Sequence, residues 1–417
     1  MRYGLIGERL SHSFSKEIHN RLYDYEYELK EIAPSEIADF LSRRDFSAVN
    51  VTIPYKETVI PHLDRVDETA RCIGAVNTVV NRDGVLYGYN TDLPGLCALI
   101  RHCGADLTGK KVLILGSGGT SKTAFAAAQS LGCGLAVRVS RTAREGCITY
   151  AQAKQRHGDA AFIINTTPCG MYPHIGVSAV DVADFPSLEG VFDVVYNPLR
   201  TKLVCDALAR GIPARGGLYM LVAQAVYAAG LFTGEAIDQD KINTVYEELL
   251  REKQNVVLVG MPGCGKTTVG KRLAQALDYD FADTDAYIVA EEKRPIPEIF
   301  ASVGERGFRD LETAAIRGLA TCQRTVIATG GGAVLRPENV QLLKENGRIY
   351  FLDRSLDKLV TTDDRPLSSN RADLERRYRE RYEIYTGCCD RHVEADGTVD
   401  EIVRWIREDL NHENSGD

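Results

Sequence analysis

The segment GMPGCGKT, Gly260 to Thr267, has the spacing G-x-x-x-x-G-K-[ST] and lies between the hydrophobic run VVLVG and the helical pattern TVGKRLAQAL. In that setting backbone amides wrap phosphates at a helix N-terminus, so Gly260, Gly263, Cys264, Gly265, Lys266, Thr267 and Thr268 read as a site for ATP or GTP. Lys266 is placed to reach the β and γ oxygens, and the Thr267 hydroxyl to ligate Mg²⁺. Downstream, FADTDAYI puts Asp283 and Asp285 two apart at an expected strand end, where alternate residues share a face. One carboxylate near the metal and one accepting a hydroxyl proton suit phosphoryl transfer to a small alcohol. Solvated carboxylates capping the next helix are the other reading. Arg309, the run Gly330 to Gly332, Arg365 and Arg381 follow. Arginine forks suit phosphates and carboxylates, although each of these arginines taken singly reads as a surface charge.

The first half carries a different chemistry. GSGGTSKTA, Gly116 to Ala124, follows VLIL and precedes a helical pattern, so Gly116, Ser117, Gly118, Gly119 and Thr120 can seat a pyrophosphate, with Ser121 where a third glycine is usual. The next strand ends in Ser140, Arg141 and Thr142 and offers no acidic residue to a ribose. That favours a 2′-phosphate and hence NADP(H); an ordinary turn with an exposed arginine is the alternative. Upstream lie SHSFS, NVTIPYK, GAVNT and GYNTD, polar clusters that make poor core and read as a binding surface. Ser13, Ser15 and Thr52 can hold a carboxylate or hydroxyls, and Lys56 with Asp92 is a complementary pair for moving a proton. Read without other support, the same two residues are an exposed lysine and an Asx-turn aspartate.

The elements that must position these groups alternate. Short β-branched runs at Val112, Ala161, Val191, Val256 and Thr325 precede glycine turns and amphipathic stretches, which predicts α/β architecture with parallel sheets. A length of 417 residues is room for two or three domains, and 44% hydrophobic with 26% charged residues is the composition of a folded chain. A net charge of -8 provides no basic field, so no nucleic-acid partner is expected. Eleven cysteines, odd in number, argue for reduced thiols and a cytoplasmic location over a disulfide framework. The start MRYGLIGERL lacks the pattern of a signal peptide, and the apolar stretch Tyr219 to Phe232 is too short for a membrane span.

The set Gly260 to Thr267, Asp283, Asp285, Phe308 with Arg309, Gly330 to Gly332, Arg365 and Arg381 resembles shikimate kinase from Val256 to about Leu410. The resemblance implies that Asp285 polarises the shikimate hydroxyl and that Arg309 and Arg381 grip its carboxylate. Gly331 and Gly332 would line the ring, Asp283 would help hold the metal, and Arg365 would cover the transferring phosphate. The segment LVTTDDRPLSSN lacks the arginine that the family usually places before its lid. The clusters of the first half, with NTTPCGM containing Met171, VVYNPLRTKL containing Tyr196 and GGLYMLVAQA containing Gln224, resemble shikimate dehydrogenase from Met1 to about Glu252. That likeness implies Lys56 and Asp92 as the catalytic pair, Ser13, Ser15, Thr52, Asn77, Tyr196 and Gln224 around the substrate, and NADP(H) on Gly116 to Thr120, Ser140 to Thr142 and Met171.

The expected architecture is an α/β two-domain dehydrogenase, its substrate domain joined to a Rossmann-like NADP domain, fused to a P-loop α/β kinase domain. Its divisions are 1–252, with a substrate part of about 1–100 plus 217–252 and a nucleotide part of about 101–216, then 253–412 and a disordered tail at 413–417. The implied activity is NADPH-dependent reduction of 3-dehydroshikimate to shikimate, then phosphorylation by ATP with Mg²⁺ to shikimate 3-phosphate. A quinate dehydrogenase with a small-polyol kinase, or one half acting only as a regulatory nucleotide-binding module, are the rival readings. The expected partners are small-molecule substrates, with neither nucleic acid nor membrane, and the oligomeric state is not legible.

Overall fold

The β-branched runs form buried strands because each is flanked by amphipathic stretches that cover a sheet on both faces. The structure is a computed structural model that describes residues 1–10, 13–359 and 371–412. Arg365 and the expected tail at 413–417 lie outside the described residues. The chain divides into two units, Met1–Leu249 and Leu250–Asp417, and the division falls within the helix Gln239–Lys253.

The first unit holds two sheets. One has the strand order Tyr27–Glu31, Tyr3–Gly7, Ala48–Val51, Thr78–Arg82, Val85–Tyr89 and Arg65–Val66. It is mixed: Tyr3–Gly7 pairs parallel with both neighbours, whereas Ala48–Val51 and Thr78–Arg82 run antiparallel with Asn50 opposite Thr78. Ile6, Val49, Val51, Val79 and Leu86 form its core. The second sheet is parallel, in the order Ala214–Arg215, Gly190–Asp193, Phe162–Asn165, Lys111–Leu115, Leu135–Ser140 and Cys147–Thr149. The chain crosses into this sheet after the helix Asp92–His102 and returns through the helix Leu218–Thr233, and the two helices pack together. Gly95 makes that contact close, since a Cβ there would stand 3.0 Å from both the Met220 carbonyl oxygen and Cβ of Gln224.

The second unit is one parallel sheet in the order Asp280–Asp283, Thr325–Ala328, Asn255–Val259, Gly347–Asp353 and Arg391–Glu394. The P-loop follows the central strand, so its neighbours deliver their C-terminal ends to the same edge, where open parallel sheets bind ligands. Asp283 and Asp285 do not share one strand face as expected. The strand stops at Asp283, whose carboxylate caps the helix Thr284–Glu292 by accepting from Asp285 N at 3.0 Å, so Asp285 projects from the first helical turn. Among the described residues no helix is long and apolar enough to cross a membrane.

His19, on the helix Ser15–Leu22, is buried with its ring stacked 4.0 Å from Tyr27 and its Nδ1 2.6 Å from the Tyr25 hydroxyl. Burial pushes its pKa down from 6.5 to about 3, so the fold holds the neutral ring. The unfolded chain binds the proton more readily. The stability gained by keeping His19 neutral is therefore complete above the unfolded value and lost as the pH falls toward the folded one. Thermal unfolding of the first unit should shift to lower temperature between about pH 7 and about pH 5, and His19→Gln should flatten that slope. Equal slopes in melts of the two proteins would remove His19 as the cause.

Candidate active sites

In the first unit a lysine and an aspartate 36 residues apart meet: Lys56 Nζ lies 2.6 Å from Asp92 Oδ2. Lys56 comes from the turn after the strand Ala48–Val51, and Asp92 opens the helix Asp92–His102. The other oxygen of Asp92 accepts from Asn77 Nδ2 at 2.9 Å, and the same amide lies 3.0 Å from the Thr91 hydroxyl and 3.5 Å from Gln224 Oε1. Asn77 is held in turn, its Oδ1 accepting from Thr91 N at 2.7 Å and from Thr78 Oγ1 at 3.1 Å. Asn50 donates to Thr78 Oγ1 at 3.1 Å and accepts from the Tyr27 hydroxyl at 2.8 Å. A buried polar chain thus runs from Tyr27 to Lys56. Asn50, Thr78 and Thr91 lie within NVTIPYK, GAVNT and GYNTD, the clusters read as a binding surface, but their hydrogen bonds to one another come from the fold and not from spacing.

The remaining expected substrate residues fall into two groups. Ser13 and Ser15 hydroxyls are 3.1 Å apart, and the Tyr196 ring stands 5.2 Å from Phe14 between them. Burial raises the Tyr196 pKa, so its hydroxyl is protonated and able to donate. Thr52 begins the turn that carries Lys56, and its carbonyl accepts from Tyr55 N at 2.9 Å.

Gly116, Ser117, Gly118, Gly119 and Thr120 join the strand Lys111–Leu115 to the helix Gly119–Ser130. No side chain caps this helix, and the Cβ position of Gly118 faces open space, so its first amides are available to an anion. That cradle fits a dinucleotide pyrophosphate. Ser121, standing for the third glycine, turns its hydroxyl back to the Gly118 carbonyl at 2.8 Å. Lys122 pairs with Glu57 at 2.9 Å and Asn90 Nδ2 lies 3.3 Å from the Thr123 hydroxyl, which ties the nucleotide loop to the turn bearing Lys56. The adjacent strand ends at Ser140, with Arg141 and Thr142 in the bend that follows; the Ser140 hydroxyl donates to the Thr142 carbonyl while Arg141 and Met171 are exposed.

In the second unit the helix Lys266–Leu277 likewise starts at an uncapped glycine, Gly265. Lys266 Nζ donates to the carbonyls of Gly260 and Met261 at 2.8 and 2.9 Å, which holds the ammonium within the loop. The Thr267 hydroxyl lies 2.7 Å from Asp283 Oδ2. Two hard oxygens at the head of a P-loop fit Mg²⁺. The capping and metal readings of Asp283 are compatible, because one oxygen caps and the other meets Thr267.

Three consecutive glycines organise the other wall. A Cβ on Gly330 would stand 2.7 Å from Asp285 Oδ1 and 2.8 Å from Glu312 Oε1, and one on Gly332 would overlap the Arg309 guanidinium. Arg309 Nη1 donates to Glu312 Oε2 at 2.7 Å, and Glu312 is completely buried. Burial raises the Glu312 pKa, against the lowering influence of Arg309 and with a further rise from Asp285. Arg381 Nη1 donates to the Gly331 carbonyl at 3.1 Å, and the Tyr385 hydroxyl donates to the same oxygen. Glu312 escaped the sequence reading, although its position three residues after Arg309 on one helix was the available signal.

Known proteins resemble both parts of the chain. The family model for the shikimate dehydrogenase substrate-binding domain matches residues 5–79, and that for shikimate kinase matches residues 262–411. A shikimate dehydrogenase (NADP(+)) of Clostridium perfringens is 36% identical over 265 residues, which is 59% of this chain and 97% of that protein. The crystal structure of shikimate dehydrogenase 1 from Peptoclostridium difficile superposes with a TM-score of 0.56 at 35% identity, covering 60% of this chain and 98% of the other. The Thermus thermophilus shikimate 5-dehydrogenase in complex with NADP(H) and shikimate gives a TM-score of 0.54 at 30% identity, over 60% and 99% of the two chains. The chain therefore belongs to the shikimate dehydrogenase family through its N-terminal part and carries a shikimate kinase domain at its C-terminus.

Proposed function

We propose that the first unit reduces 3-dehydroshikimate to shikimate with NADPH and that the second phosphorylates shikimate to its 3-phosphate with ATP and Mg²⁺. The working division is a substrate domain of about 1–100 plus 217–252, an NADP-binding domain of about 101–216, and a kinase domain of 253–412. The observation that carries the reading is the Lys56–Asp92 pair at 2.6 Å, tied by Glu57 and Lys122 to an uncapped dinucleotide loop.

NADPH, when bound, supplies the hydride. The carbonyl oxygen of the substrate then needs a proton, and Lys56 Nζ is the donor held for it. Asp92 keeps the ammonium oriented and offsets its charge; Asn77 fixes the second carboxylate oxygen, so the pair cannot rotate apart. Ser13, Ser15, Thr52, Tyr196 and Gln224 supply neutral donors and acceptors to the carboxylate and hydroxyls of the ring.

In the second unit ATP supplies the phosphoryl group, and Thr267 and Asp283 would hold Mg²⁺, which would offset charge on the phosphates. Asp285 accepts the proton of the attacking hydroxyl. Arg309, oriented by Glu312, and Arg381 hold the substrate carboxylate. The alternation of Asp285, Arg309 and Arg381 around Gly330 to Gly332 suits a small ring bearing one carboxylate and several hydroxyls.

One incubation with 3-dehydroshikimate, NADPH and ATP, omitting each in turn, tests the scheme. Shikimate 3-phosphate should form only with all three, and shikimate should accumulate without ATP. Lys56→Ala or Asp92→Asn should lower the oxidoreductase rate by about a hundredfold to ten-thousandfold and spare the kinase. Near-normal reduction by either folded variant would reject the assigned pair.

Arg141→Ala should raise KM for NADPH by at least about tenfold and leave that for NADH nearly unchanged, since only the former carries a 2′-phosphate for a guanidinium to grip. Equal changes for both cofactors would take Arg141 out of the phosphate site. Gly332→Ala places a methyl group where the Arg309 guanidinium runs, so shikimate KM in the kinase reaction should rise by at least about tenfold with dehydrogenase activity intact. Kinetics indistinguishable from the parent would show that Arg309 does not hold substrate from this position.

A further inference from the structure

Among the described residues, an arginine beside the P-loop has no partner. Arg354 follows the strand Gly347–Asp353, which pairs with the P-loop strand so that Phe351 lies opposite Val259. Its guanidinium crosses to the loop, where a Cβ on Gly265 would stand 3.6 Å from Nη1. Among the described residues Arg354 makes no hydrogen bond or ion pair, and its Nε is buried without a partner.

Both neighbours of Arg354 are anchored. The Asp353 carboxylate receives the Tyr378 and Tyr382 hydroxyls at 3.2 Å each and His392 Nε2 at 2.9 Å, and its carbonyl accepts from Ala395 N at 2.7 Å. Ser355 donates its amide to Asp396 Oδ1 at 2.8 Å and its hydroxyl to Asp396 Oδ2. The backbone is thus fixed on either side, and the guanidinium is held over the loop without a carboxylate to answer it. Taking the Nε donor out of water without a partner is unfavourable unless a compensating charge lies beside it. The surroundings deepen the demand, since Lys266 and the uncapped amides at Gly265 add positive potential at the same place. The group that satisfies all three is a polyanion lying in the loop.

We propose that Arg354 is an ATP-binding residue that donates to the polyphosphate held by Gly260 to Thr267. The inference rests on the P-loop reading and adds to it a cation from outside the loop motif. A fork that reaches two phosphate oxygens also fixes the nucleotide in register with Lys266 and Thr267.

The test uses the full chain. In Arg354→Ala, calorimetry with ADP should show binding weakened by at least about tenfold, and KM for ATP should rise in parallel while shikimate KM and dehydrogenase activity stay unchanged. Inorganic tripolyphosphate should compete less well with ATP by a similar factor. Arg354→Lys, which keeps a cation on a flexible stem, should bind ADP more tightly than the alanine variant. ADP affinity within about twofold of the parent in Arg354→Ala would overturn the proposal. Loss of ADP affinity with tripolyphosphate competition unaltered would overturn it too, by moving the contact to the base. A parent protein that binds ADP but leaves shikimate unphosphorylated would reject the kinase substrate without touching the Arg354 result.

Discussion

A charged amine and a carboxylate taken partly out of water must face each other, and the first unit is arranged so that Lys56 and Asp92 do. Neither residue alone could be held at that depth, because desolvating an ion costs more than a surface pair returns. At the pair a turn of the substrate sheet, the first turn of the crossover helix and the returning helix with Gln224 come together. Gly95 permits the two helices to approach, Asn77 fixes the carboxylate, and the Asn50 to Tyr27 hydrogen bonds fix Asn77. A proton donor positioned this way needs little reorganisation when charge develops on a substrate oxygen, which is where preorganised polar groups gain their effect.

The second unit meets the same electrostatic constraint differently. Its candidate cations are held in different ways: Lys266 by two loop carbonyls, Arg381 by the Gly331 carbonyl, Arg309 by the Glu312 carboxylate. Neutral carbonyls hold a cation without cancelling its charge, so Lys266 and Arg381 keep their attraction for phosphate and carboxylate. Glu312 is the exception, and its burial explains why it can remain: its position fixes Arg309 against Gly332 and leaves the far side of the guanidinium to the ligand.

The motifs legible in the sequence were those whose chemistry is local. Gly260 to Thr267 and Gly116 to Thr120 each need only a strand, a loop and a helix start, and short-range pattern carries all three. The strands at Val112, Ala161, Val191, Val256 and Thr325 were readable for the same reason, since hydrophobic runs with glycine behind them describe a parallel sheet without long-range information. Asp285 was placed on the wrong element because Asp283 fits a strand end and a helix cap equally well, and the spacing of two residues does not distinguish them. Asn50, Thr78 and Thr91 were legible as members of polar clusters but their mutual bonds were not, because Asn50 meets Thr78 through antiparallel register and Thr91 joins them from the start of the helix Asp92–His102. Arg354 was illegible for the opposite reason: what singles it out is the lack of a partner, which only coordinates reveal.

Joining the two proposed reactions on one chain does not by itself hand product from one site to the next. A covalent link raises the concentration of each unit around the other, but a small polyol released into solvent diffuses away long before tethered domains reorient. What fusion does guarantee is stoichiometry, with one Lys56–Asp92 pair for every P-loop. Each unit also completes its own sheet, core and site from its own residues: the Lys56 cluster draws only on residues before Leu249, and the wall of Gly330 to Gly332 only on residues after Leu250. Neither set of hydrogen bonds needs the other to form. Loss of a group at one site should therefore propagate to the other only through the supply of substrate, which makes each activity an internal standard for the folding of the chain that carries both.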